Sequence, residues 1–165
     1  MSQSQQLNVL MVCLGNICRS PTAQGVLEAR LEQAGLQHQV RVDSAGTAAW
    51  HTGKAPDPRS QQVALQRGYT ISHLRARQAT REDFEHFDYV LAMDADNLND
   101  LRVLEPAHYA GELKLLLDYA FPGQQKAVPD PYYTQGDAGF HQVVDLIEQA
   151  CDGLIEDLKK RLKAT

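Results

Sequence analysis

A chain of 165 residues with 43% hydrophobic content can bury roughly 70% of its unfolded surface around one core, so a single domain over 1–165 is expected, with residues 1–6 as a polar, mobile tail. The net charge is −5, and Lys and Arg are scattered rather than gathered into a stripe, which argues against nucleic acid as a partner. No stretch approaches the roughly 20 apolar residues of a membrane helix, Met1 to Gln6 lacks a signal-peptide core, and the cysteines number three, which points away from membrane insertion and a disulfide framework and towards a cytoplasmic protein that keeps a thiol for chemistry.

The apolar run Leu7 to Val12 reads as a buried strand. A helix follows over Pro21 to Ala34, with Ser20 as N-cap, Pro21 in the first turn, a stripe of Ala23, Val26, Leu27 and Leu31, and Gly35 as its stop. A second strand is expected at Val40 to Asp43, and Asp57-Pro58 opens a helix that Gly68 ends. A short helix after Thr80, a strand at Tyr89 to Ala92, a helix from Asp94 to Leu104 and a strand at Leu113 to Leu117 continue the alternation. A long loop holding Pro122, Pro129 and Pro131 leads to a last helix over Asp137 to Leu162. Its apolar face carries Phe140, Val144, Ile147, Cys151, Leu154, Ile155, Leu158 and Leu162. Such alternation predicts an α/β fold, a mostly parallel sheet with helices on both faces and ligands beyond the strand C-termini.

Cys13 lies at such an end, in Val12-Cys13-Leu14-Gly15-Asn16-Ile17-Cys18-Arg19-Ser20-Pro21. The segment joins a strand to a helix N-terminus, where backbone N–H groups and the helix dipole attract an anion. The same field favours thiolate over thiol, the nucleophilic form. Arg19, a cation electrostatically misplaced at a helix N-terminus unless an anion binds there, can fork two oxygens of a phosphate. Asn16 suits the left-handed backbone conformation that a tight anion-binding loop requires.

This segment, with Ser44-Ala45-Gly46-Thr47, Pro56-Asp57-Pro58-Arg59 and Asp130-Pro131-Tyr132-Tyr133, resembles the low-molecular-weight protein tyrosine phosphatases over nearly the whole chain. The resemblance implies a single-domain, four-stranded parallel sheet with a phosphate-binding loop after the first strand. It also implies catalysis without metal or cofactor on phosphotyrosine-containing proteins, with inorganic phosphate and other oxyanions as ligands. Cys13 would attack phosphorus. Amides of Leu14, Gly15, Asn16, Ile17, Cys18 and Arg19, with the Arg19 guanidinium, would hold the equatorial oxygens. Asp130, on its residue type alone a turn opener before Pro131, would protonate the leaving oxygen and then activate water. Asp94 also follows a strand end and reads better as a helix N-cap, leaving it the fallback acid.

Asn16, Ser20, Ser44 and His73 match positions whose side chains brace the loop in that family, with Ser20 also donating to the Cys13 sulfur. Trp50, Tyr132 and Tyr133 lie in Gly- or Pro-containing loops and are expected as an aromatic rim selecting aryl phosphates. Ile17 points the same way, because relatives acting on phosphoarginine tend to have Thr there. His51 is given no catalytic task. Cys18 is implied as a redox partner of Cys13 through a reversible disulfide, and Cys151 reads as core. Zinc is disfavoured because the thiols lack paired spacings. Two enzymes of related fold are the alternatives, a phosphoarginine phosphatase and an arsenate reductase. The latter needs two mid-chain cysteines, and the stretch Ala79 to Asp100 has none.

Overall fold

The computed structural model describes residues 6–164; but for Gln6, the expected N-terminal tail lies outside them. Strand β1 (Leu7–Cys13) alternates its side chains between two packed layers. Leu7, Val9, Met11 and Cys13 face one apolar cluster and Leu10 and Val12 the other. Helices α1 (Arg19–Gln33) and α5 (Ala138–Lys163) supply the first layer, through Val26, Leu27 and Leu31 of α1 and Phe140, Ile147, Leu154 and Leu158 of α5. The second is closed by Phe84 of the short helix α3 (Asp83–His86) and by Leu98 and Leu101 of α4 (Ala95–Leu104). Helix α2 (Pro58–Gln66) buries Val63 and Ala64 in the first layer. Helices therefore cover both faces, as the alternating pattern predicts.

The sheet is parallel throughout, in the order β2-β1-β3-β4, with β2 spanning Val40–Gly46, β3 Tyr89–Ala92 and β4 Glu112–Leu115. The chain moves from β1 to one side and then returns to the other, so the strand order reverses at β1. The C-terminal edge beside such a reversal is where an open α/β sheet leaves a crevice.

The structure corrects several expected boundaries. Helix α1 begins at Arg19 with Cys18 as N-cap and no side-chain cap, so Ser20 lies inside the helix rather than capping it. Its hydroxyl is engaged instead by Cys13, Asn16 and the Ala45 carbonyl. Strand β2 runs three residues beyond Asp43, because parallel pairing with β1 continues from Leu10↔Asp43 to Cys13↔Gly46. Strand β4 ends at Leu115, opposite Ala92, the last residue of β3. Leu116 and Leu117, without a strand partner, are buried by a 3-10 turn over Leu116–Tyr119 instead. The remaining signals hold: Gly35 and Gly68 follow α1 and α2 with φ of 73° and 95°, Asp57 caps α2 and Asp94 caps α4.

Candidate active site

The loop between β1 and α1 is held open by its surroundings. Its carbonyls turn outward: those of Cys13 and Leu14 accept from the N–H groups of Thr47 and Ala48, and that of Ile17 from Asp57. Among the described residues, the N–H groups of Leu14, Gly15, Ile17 and Cys18 have no protein acceptor. The loop thus presents a ring of free donors at the positive end of α1, the arrangement that binds an oxyanion. Asn16 takes the left-handed conformation expected of it, with φ of 58°. Its side chain donates to Ser20 Oγ (2.7 Å) and accepts from the backbone N–H of Arg77 (3.0 Å), tying the loop to the 77–79 segment. Gly46 permits the close approach of β2 to the loop. A Cβ there would lie 2.7 Å from the Leu14 carbonyl oxygen and 3.1 Å from Asn16 N.

Cys13 Sγ sits on the loop's inner side, where Asn16 N–H (3.3 Å) and Ser20 N–H (3.4 Å) donate to it and Ser20 Oγ lies 3.0 Å away. Two backbone N–H groups thus converge on one sulfur, with the Ser20 hydroxyl in hydrogen-bond contact beside them. The Arg19 side chain, only 3% exposed, is fixed by Nη1 bonds to Asp94 Oδ2 (2.6 Å) and the Val128 carbonyl (3.1 Å). Burial works against its charge, but the sulfur of Cys13 and the carboxylates of Asp94 and Asp130 outweigh that and raise its pKa above the ordinary arginine value. Asp130 Oδ2 lies 3.6 Å from Arg19 Nη2, and its Oδ1 accepts from Tyr132 N–H (3.0 Å).

One cleft gathers Cys13, Leu14, Gly15, Ile17, Cys18, Arg19, Trp50, Asp130, Tyr132 and Tyr133. Trp50 (68% exposed) and Tyr133 (83%) form its outer rim, while Tyr132 packs edge-on against Tyr133. His51, given no task by the sequence, also lines this wall, its ring 6.3 Å from that of Tyr132. Cys18 shares the cleft and its thiol is pushed up to about 12, chiefly by burial, which keeps it protonated. Cys151 is buried in the first core layer as expected, far up in pKa through burial.

Two expected braces do not reach the loop. Ser44 Oγ donates to Gln24 Oε1, and Gln24 in turn donates to Glu28, beside which His73 stands exposed in its own segment. The supporting positions are taken instead by Asp94 on Arg19, a residue the sequence marks as a helix N-cap but not as a partner of Arg19, and by the Arg77 backbone on Asn16. Asp94 uses one oxygen for Arg19 and the other to cap α4 through Asn97 N–H (2.8 Å), and it does not line the cleft. The described residues contain no cluster of metal-ligating side chains.

A parallel α/β sheet with a thiol inside an amide ring, a fixed guanidinium beside it and a carboxylate across the cleft defines a cysteine-based oxyanion site. The chain belongs to the family described as low molecular weight phosphotyrosine protein phosphatase, whose model matches residues 8–164. It is 43% identical over 158 residues to a low molecular weight protein-tyrosine-phosphatase of Streptomyces coelicolor, covering 94% of this chain and 95% of that one. Among solved structures, a protein tyrosine phosphatase from Entamoeba histolytica with Hepes in its active site superposes with a TM-score of 0.87 at 38% identity, over 94% of this chain and 98% of that one. The Drosophila arginine phosphatase superposes with a TM-score of 0.84 at 34% identity, over 92% and 97%.

Proposed function

We propose that this protein hydrolyses phosphotyrosine in proteins through a phosphocysteine intermediate. The observation that carries the reading is the convergence of two backbone N–H groups and the Ser20 hydroxyl on Cys13 Sγ, in a cleft shared with Arg19 and Asp130. Cys13 attacks phosphorus opposite the tyrosine oxygen, so the S–P bond forms as the P–O bond breaks. The free loop amides and Arg19 stabilise the three equatorial oxygens, and the bonds from Asp94 and Val128 hold the guanidinium in place before substrate arrives. Asp130 gives its proton to the leaving phenolate. Its carboxylate then takes a proton from the water that attacks phosphorus, releasing phosphate and returning the thiolate, which Ser20 stabilises as it leaves.

The aromatic rim favours aryl esters because Trp50 and Tyr132 offer a ring apolar contact that an alkyl phosphate does not exploit equally. Free thiols at Cys13, Cys18 and Cys151 suit a cytoplasmic setting. On oxidation of Cys13 to its sulfenic acid by a peroxide, which is reduced to the alcohol or water, the Cys18 thiol in the same cleft would condense with it, losing water and forming a reducible disulfide. The test of the reading is hydrolysis of an aryl phosphate and of a phosphotyrosine peptide by wild type, Cys13→Ser and Asp130→Ala. Cys13→Ser is expected to be inactive and Asp130→Ala slowed on the order of 100-fold. Retained activity in Cys13→Ser refutes the mechanism, and faster turnover of phosphoarginine than of phosphotyrosine refutes the substrate.

A further inference from the structure

Arg59 belongs to the Pro56-Asp57-Pro58-Arg59 motif, yet it neither lines the cleft nor figures in the chemistry above. Its surroundings join two parts of the site. On one side Asp57 holds it, Oδ1 accepting from Arg59 Nε (3.1 Å) and Oδ2 from Nη2 (3.0 Å), while the Asp57 N–H donates to the Ile17 carbonyl of the phosphate loop (2.8 Å). On the other side Arg59 Nη2 donates to the Tyr132 carbonyl (3.0 Å), and Nη1 makes a longer contact of 3.5 Å with that of Thr134. The guanidinium lies over the Phe140 ring at 4.7 Å and the Tyr132 ring at 5.6 Å.

The segment carrying Asp130 has little else to hold it. Pro129 and Pro131 have no N–H to donate, and the bonds of Thr134 and Tyr132 within it are local. Among the described residues, Arg59 is the one side chain from outside that hydrogen-bonds to residues 129–136, beside the 3.6 Å ion pair of Arg19 with Asp130. Tyr132 is consequently gripped at both backbone groups, its carbonyl by Arg59 and its N–H by Asp130.

We propose that Arg59 is a positioning residue for the general acid, setting the distance between Asp130 and the phosphate loop through Asp57 and Ile17 on one side and Tyr132 on the other. The inference rests on the assignment of Asp130 as acid. It depends on the planar fork of arginine, which reaches the Asp57 carboxylate and the Tyr132 carbonyl together while stacking on an aromatic ring; the lysine ammonium does not reproduce that geometry. A small displacement of the acid costs rate because proton transfer requires hydrogen-bond reach of the leaving oxygen.

The test is the leaving-group dependence of kcat/KM, which a misplaced acid alters and a general loss of folded protein does not. Phenyl phosphate, which needs a proton on its leaving oxygen, is compared with 2,4-dinitrophenyl phosphate, which does not. The proteins are wild type, Arg59→Ala, Arg59→Lys, Asp130→Ala and the Arg59→Ala/Asp130→Ala double variant, with inhibition by inorganic phosphate measured on each. Arg59→Ala is expected to lose about 10-fold or more on phenyl phosphate and less than about 2-fold on the dinitrophenyl ester, with phosphate inhibition unchanged. The double variant should be no slower on phenyl phosphate than Asp130→Ala. Arg59→Lys, which keeps the charge and stem, shows the same ester selectivity more weakly and carries the comparison if the alanine variant does not fold. Equal losses on both esters, additive losses in the double variant, or weakened phosphate inhibition overturn the inference while leaving the acid assignment standing. Absence of leaving-group dependence in Asp130→Ala itself overturns both.

Discussion

Replacing Asn16 tests how much of the site is built by one backbone conformation. The residue is 3% exposed with φ of 58°, and its side chain bonds Ser20 Oγ at 2.7 Å and the Arg77 N–H at 3.0 Å. In Asn16→Ala both bonds go, at about 1 kcal/mol each, and alanine adds about 1 kcal/mol for the left-handed conformation. The total is about 3 kcal/mol, which for a domain of this size lowers Tm by about 6–12 °C. Asn16→Gly loses the same two bonds but adopts the conformation freely, so it should retain about 1 kcal/mol more than the alanine variant. Because either change frees the Ser20 hydroxyl from its orienting donor, both should reduce kcat/KM on an aryl phosphate by about 10-fold. Thermal unfolding and steady-state kinetics on the two variants supply the comparison. Equal Tm values for Ala and Gly, or wild-type values for both, would refute the argument that this loop depends on a left-handed, side-chain-anchored Asn16.

Asp94→Asn keeps a competent cap on α4 but removes the carboxylate from Arg19. It should cost about 1–2 kcal/mol in denaturant unfolding, less than the roughly 3–5 of a fully buried pair because Asp94 is 26% exposed, and should weaken inhibition by phosphate. Gly46→Ala places a methyl 2.7 Å from the Leu14 carbonyl oxygen, an atom of backbone that cannot rotate away, and should destabilise by about 1–3 kcal/mol with loss of activity. The Asp57 carboxyl is opposed by burial but held below its ordinary value of 3.8 by bonds from Arg59. A depressed carboxyl stabilises the fold above its unfolded pKa and loses that contribution as pH falls through the lower folded value. The stability gap between wild type and Arg59→Ala should therefore be constant near neutral pH and close below 3.8; a gap that widens with acid contradicts the assignment.

The nucleophile loop is readable in the sequence because its determinants are contiguous. A buried strand, a loop with an Asn suited to positive φ, an arginine at a helix start and a proline in the first turn all lie between Leu7 and Pro21. What fixes Arg19 is not readable, since Asp94 and the Val128 carbonyl come from 75 and 109 residues away and meet it only when β3 pairs with β1. Ser20 illustrates a local rule overridden by tertiary demand: its residue type suits an N-cap, but the sulfur of Cys13 competes for the same hydroxyl and the helix starts two residues earlier. The end of β4 was set by the length of its partner strand, which the apolar run Leu113 to Leu117 does not encode. Ser44 and His73, expected as braces by family position, instead sit at and beside the Gln24–Glu28 pair, whose place behind the loop depends on α1 packing along β2.

The most direct test of the central claim is acid quenching of wild type during turnover of an aryl phosphate, followed by peptide mass analysis. The account predicts a phosphate mass on the peptide containing Cys13, labile in a manner characteristic of a thiophosphate, absent in Cys13→Ser and accumulating when Ser20→Ala slows thiolate departure. Phosphate on another residue, or full turnover with no phosphorylated enzyme at any quench time, would contradict it.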